Sequence, residues 1–115
     1  MSKKDDTIAE LLVKAGLSKN IARALVFISK RNETTSVEIE KATGLRQPEV
    51  SIAMQELRSR KWVEKRDIRK EGKGRPVHSY RLSIPMKKIV NTICRKGMRR
   101  VREIEDNLRR LRQLT

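Results

Sequence analysis

The chain has 115 residues, room for one compact domain with an appended element, because a self-sufficient hydrophobic core takes about 60 residues or more. Lys and Arg number 29 against 14 Asp and Glu, a formal net charge of +15, which asks for a polyanionic partner, most commonly nucleic acid. No segment approaches the roughly 20 apolar residues that cross a bilayer, and one cysteine (Cys94) with one histidine (His78) excludes a disulfide framework or a four-ligand metal site within one chain, so a soluble cytoplasmic protein with no cofactor is expected.

The charge is unevenly distributed. Residues 1–57 carry nine basic and eight acidic side chains, whereas residues 58–81 and 82–115 each carry ten basic and three acidic ones, so each of these supplies +7. The polyanion is expected to meet the second half of the chain.

Ile8, Leu11, Leu12 and Ala15 recur at helical spacing and Gly16 ends that pattern, which predicts a first helix over residues 5–15. Ser18 can cap a second helix with Ile21, Ala24, Leu25 and Ile28 on one face, broken at Arg31-Asn32-Glu33. Thr35 followed by Glu38 is a capping box, in which each side chain satisfies a free amide of the other; it starts a short helix that runs to Ala42 and ends at Gly44. Gln47-Pro48 opens the next helix, with Pro at the first helical position, where its missing N–H costs nothing. Val50, Ala53, Met54 and Leu57 form its apolar face, and Gln47, Ser51, Gln55 and Arg58 its polar one. Two helices joined by a glycine-containing turn are helix-turn-helix organisation.

Trp62-Val63 begins an extended segment, and residues 77–82 return as a strand with His78, Tyr80 and Leu82 on one, inward side. Between them, residues 69–76 (RKEGKGRP) hold two glycines, one proline and four basic residues, a turn suited to phosphate. From Met86 to Leu114 no proline interrupts a last long helix. Val90, Cys94, Gly97, Val101, Ile104, Leu108 and Leu111 alternate spacings of three and four, a heptad seam with basic flanks. Such a helix is roughly 40 Å long, too long for a domain of this size to cover, so a second copy of the chain is the simplest partner for the seam.

The stretch 44–51 (GLRQPEVS), with Leu57 and Trp62-Val63, resembles the recognition-helix region of winged-helix regulators of the ArsR, MarR and TrmB-like groups. Residues 72–82 (GKGRPVHSYRL) are similar to the wing of small archaeal members of that superfamily. The resemblance covers about residues 18–84. It implies a mainly α fold with a small β wing, a winged helix-turn-helix of three helices and a two-stranded wing over residues 1–84, and a dimerising coiled coil over residues 85–115. The implied function is transcriptional regulation by a homodimer that binds double-stranded DNA, its recognition helix at 47–61 in the major groove. The chain lacks the Cys and His sets of metal-sensing ArsR members and the sugar-binding domain of longer TrmB-like proteins, so no small-molecule effector is evident; no membrane partner and no enzymatic role are expected.

The residues assigned to DNA are Arg46, Gln47, Ser51, Gln55, Arg58, Lys70, Lys73 and Arg75. Amides and hydroxyls at spacings of four suit base edges and the flanking cations suit phosphates, although an ordinary solvated helix face carries the same residue types. Those assigned to dimerisation are Val90, Cys94, Val101, Ile104, Leu108 and Leu111. Trp62 is read as a core plug at the base of the wing, His78 as a packed or hydrogen-bonded residue, and Cys94 as a small hydrophobe of the seam. With three aromatics in all, the chain has no stacking platform for single strands. Two rivals remain open: a sequence-tolerant architectural DNA-binding protein, and an interaction module that docks its last helix on a larger transcription complex.

Lys73-Gly74-Arg75-Pro76 is similar to the core of an AT-hook, in which an extended arginine enters a narrow A·T minor groove where negative potential is concentrated. A charged turn that touches phosphates alone is the competing reading. Arg75→Ala is expected to abolish any preference for A·T-rich flanks while leaving the central sequence preference in place. Binding titrations on duplexes differing only in their flanks check this; a parent protein indifferent to flanking composition decides for the phosphate turn.

Overall fold

The computed structural model describes residues 2–68 and 77–115, so the sequence assignments to Lys70, Lys73 and Arg75 lie outside the described residues. In chain order the elements are α1 (Lys3–Lys14), α2 (Lys19–Ser29), β1 (Thr34–Thr35), α3 (Ser36–Thr43), α4 (Gln47–Ser59), β2 (Val63–Ile68), β3 (Val77–Leu82) and α5 (Met86–Leu114). The fold is mainly α with a small antiparallel sheet, a winged helix-turn-helix followed by a long terminal helix. No described helix is long and apolar enough to cross a membrane.

Local chemistry sets the helix boundaries. Ser18 accepts from the Ile21 N–H at the start of α2, and Thr35 with Glu38 forms the capping box of α3. Gly44 ends α3 at φ 73°, a left-handed conformation that a side chain would strain. α1 starts two residues before its apolar pattern. Ser2 accepts from the Asp5 N–H while the Asp5 carboxylate accepts from the Ser2 N–H, a second capping box. Pro48 occupies the second helical position of α4 rather than the first.

α2 is the central element, with Ala22, Ala24, Leu25 and Ile28 wholly buried beneath α1, α3, α4 and β3. Leu25 and Ile28 are each worth about 2 kcal/mol of transfer free energy and the small Ala22 and Ala24 let neighbouring elements approach closely, which is what assembles elements this short. β2 and β3 pair antiparallel as the two strands of the wing, and β1, which the sequence reading did not include, adds a third strand on the other side of β3, giving the order β1-β3-β2. Thr34 pairs with Tyr80 and Thr35 with Ser79, so the segment entering α3 is an edge strand. Tyr80 is buried, as expected for the inward face, whereas His78 on the same side lies further toward the turn, half exposed and bonded to Asp67. Trp62 is buried at the root of the wing, with the Arg60 guanidinium 5.0 Å from its ring centre.

Ile89 and Ile93 of α5 are buried in the same core, with Met86 packed against it, so the first turns of α5 are joined to the helical body. The rest of α5 projects, and the chain measures 72 × 28 × 25 Å.

Asp5 links two helices, since it also pairs with Lys30 at the end of α2 at 3.1 Å. The hydrogen bond from Lys30 holds its carboxyl below the usual carboxylate range, aided by Ser2 and opposed by burial. A depressed folded-state pKa stabilises the fold above the unfolded value of about 3.9 and ceases to do so as pH falls through the folded value. Asp5→Asn is therefore expected to lower Tm near neutral pH, with the gap to the parent closing as the pH is taken below about 4. Thermal denaturation across a pH series measures it; a gap independent of pH would assign the loss to the cap rather than to the charge.

Candidate nucleic-acid interface

Three local devices orient α4. At its start, Arg46 has no acceptor to offer the helix, so the Glu49 carboxylate reaches back to the Arg46 N–H at 3.0 Å and also accepts from Asn20 Nδ2 at 3.3 Å. One carboxylate thus caps α4 and ties its first turn to the first turn of α2. In the preceding turn the Thr43 hydroxyl donates to the Ile39 carbonyl at 2.6 Å and accepts from the Leu45 N–H at 3.3 Å. At the far end the Trp62 N–H donates to the Leu57 carbonyl and the Lys61 N–H to the Arg58 carbonyl, a Schellman arrangement. Lys61 sits at φ 63° where glycine is usual, a strained position that turns the chain from α4 into β2.

Val50, Ala53, Met54 and Leu57 are buried, which fixes the rotation of α4 about its axis. Gln47, Ser51, Gln55 and Arg58 consequently line the solvent face, all exposed, with Arg46 at its entrance. From Gln47 to Arg58 this face is roughly 16 Å long, a length that fits within a major groove. Among the described residues neither Arg46 nor Arg58 forms an ion pair. Ile52, 66% exposed, stands beside Ser51 on the same face. Sequence patterning did not single it out; an isoleucine left in water outside the apolar stripe of its helix is the signal that marks it.

The described strands of the wing are different. Arg66 is held by Glu33 through two hydrogen bonds of 3.1 and 2.9 Å, Arg81 by Glu64 at 3.0 Å, and Asp67 by His78 at 2.7 Å. The Ser79 hydroxyl, and then Arg66, hold the Glu33 carboxyl below its ordinary range, and His78 chiefly does the same for Asp67. Burial pushes the Tyr80 phenol up.

The six residues assigned to dimerisation lie elsewhere, on α5. Val90 is half-buried and Cys94 exposed, while Val101, Ile104, Leu108 and Leu111 leave 45–58% of their surface in water. Met98 and Leu114 are exposed apolar neighbours of that seam which the heptad count did not include. A groove of about 570 Å³ between α1, α2 and α5, lined by Ile8, Leu11, Val26, Val90 and Cys94 among others, continues the seam onto the body.

With this geometry in place, comparison with known proteins is decisive for the family. The sequence pattern of the MarR family matches residues 15–74. The chain belongs to the MarR family. It is thereby a DNA-binding transcription regulator of winged-helix type. Among solved structures, a possible transcriptional regulator from Methanosarcina mazei superposes with a TM-score of 0.67 at 15% identity, over 88% of this chain and 86% of that one. TrmBL2, an archaeal chromatin protein with a novel mode of DNA binding, gives 0.67 at 16% identity over 95% of this chain but 39% of its own. A mutant MarR from E. coli, complexed with operator DNA, gives 0.53 at 22% identity over 84% of this chain and 64% of that. At these identities the likeness is one of fold. No curated protein matches the chain. The MarR-family match ends before β3, so α5 falls wholly outside it.

If the α4 face reads base edges, Gln55→Ala relaxes sequence preference more than it weakens bulk affinity. The expected loss is about 1–3 kcal/mol on the preferred duplex and little on random duplex. Parallel titrations on the two duplexes measure it, and equal losses on both would remove Gln55 from base readout.

Proposed function

We propose that this MarR-family chain binds double-stranded DNA sequence-specifically as a homodimer and regulates transcription by occupying promoter DNA. The observation that carries the reading is the solvent face of α4. It is a row of hydrogen-bonding side chains, Gln47, Ser51 and Gln55, between two cations without ion pairs, Arg46 and Arg58, on a helix whose opposite face is locked into the core. Amides can pair bidentately with adenine, and the arginines hold the phosphates that set register. Ile52 suits the methyl group of a thymine, the one apolar feature of a base edge in the major groove.

The dimer reading rests on α5. Exposed apolar side chains at heptad spacing over four helical turns are a coiled-coil seam, and water exposure of that length is costly unless a second helix covers it. A second copy is the occupant this chain itself supplies: its own seam matches the first in length and period, and the groove beside Leu11 accepts the flank of the incoming helix. Two copies set the α4 helices into successive major grooves about 34 Å apart, with the basic turns at Lys70, Lys73 and Arg75 over the flanking minor grooves.

Selection from a randomised duplex pool at about 150 mM salt, where charge pairing is partly screened, tests this together with the molecular mass in solution. The expected result is a dimer that enriches two related half-sites at fixed spacing, with a thymine position lost when the selection is repeated with Ile52→Ala. Retention without enrichment would establish the architectural alternative, and a monomer that retains nothing would leave α5 to a foreign partner.

A further inference from the structure

α5 carries ten basic residues against three acidic ones, more charge than a dimerisation helix requires. Their positions are ordered. At about 3.6 residues per turn, Lys88, Arg95, Arg99 and Arg102 share one face, opposite the side of Met86, Val90, Gly97 and Ile104 that turns toward the body and the seam. All four are exposed, and among the described residues none forms an ion pair. Several arginines elsewhere are paired: Arg60, Arg66 and Arg81 are each held by a carboxylate, and further along α5 Arg109 is held by Asp106. The stripe runs for roughly 21 Å.

Its place in the fold separates it from α4. The apolar side of α4 packs on α2, while Met86, Val90 and Ile93 of α5 face Val26 and Ser29 on another side of α2. α2 therefore lies between the two helices, and the stripe is on the side of α5 turned away from α2. A duplex seated on the solvent face of α4 and one seated on the stripe then lie on opposite sides of α2. The residues interspersed with the four cations are Asn91, Thr92 and Lys96, with the exposed Met98 at the margin. With no aromatic ring the stripe cannot stack unpaired bases, and one marginal methionine does not make the aromatic or arginine-filled pocket at the centre of a protein–protein hot spot. What remains complementary is the phosphate backbone of a duplex, which presents one negative charge per roughly 1.7 Å of axis.

We infer that Lys88, Arg95, Arg99 and Arg102 form a second, sequence-independent surface for duplex DNA, so that a regulator seated through α4 holds another stretch of DNA against its back. This goes beyond operator occupancy and rests on α4 being the operator-facing helix. The test is sandwich capture: a selected duplex is immobilised, the protein is bound, and retention of a labelled, unrelated duplex is measured. The parent is compared with the combined variant Lys88→Gln, Arg95→Gln, Arg99→Gln, Arg102→Gln, whose helix content is checked by circular dichroism. The variant is expected to lose about tenfold or more of second-duplex retention while its affinity for the immobilised duplex changes less than about twofold. Its log–log salt slope on unrelated duplex in solution should flatten by about 3 to 4, roughly 0.9 per phosphate released. Undiminished retention by the variant would overturn the inference. Displacement of the second duplex by polyglutamate at equal charge would do so too, in favour of an acidic protein partner. A parallel loss of affinity for the immobilised duplex would instead put the stripe on the operator. Should the parent select no preferred sequence, the operator reading fails, yet the solution titration of parent against variant still decides whether the stripe binds duplex.

Discussion

The structure depends on the burial of most of one short helix. α2 presents apolar residues around most of its circumference, and a helix of that kind is stable only when most of its sides are covered. Covering it distributes the rest of the chain: α1 packs on one side, α3 and α4 on another, β3 closes a third, and the first turns of α5 come in beside α1. The functional layout follows from that coverage. α4 spends its apolar face on α2 and so has its polar face left for a ligand, while α5 spends Ile89 and Ile93 on the body and leaves the remainder of its length unpartnered.

The position of α4 along its axis is set by hydrogen bonds at its ends rather than by its middle. Burial of Val50, Ala53, Met54 and Leu57 sets the rotation of the helix, but sliding along its axis is opposed by Glu49, which joins it to Asn20, and by the Schellman turn at Lys61. Base readout tolerates little slack, because a bidentate contact loses its geometry within a fraction of an ångström, so under the proposed role of α4 these devices would matter to recognition although none of them lies on its solvent face.

The parts of this arrangement written in local chemistry were legible in the sequence. The caps at Ser18 and at Thr35 with Glu38, and the stop at Gly44, each involve residues within three positions of one another, and the polar face of α4 follows from the phase of its apolar one. What depends on distant parts of the chain was not. β1 is two residues long and has no alternation to read; it exists because β3 returns beside it. The bond between Asn20 and Glu49 spans 29 positions. On α5 two apolar stripes run side by side. Periodicity alone could not tell that Ile89 and Ile93 belong to the chain's own core, while Val101, Ile104, Leu108 and Leu111 do not.

The attachment of α5 has a mechanical consequence. Its buried contact with the body is confined to the first turns, at Ile89 and Ile93 with Met86 packed beside them, while the helix runs on to Leu114. If two copies pair through α5 as proposed, the separation of their α4 helices is transmitted through that short contact, and the packing of two isoleucines then helps to set half-site spacing.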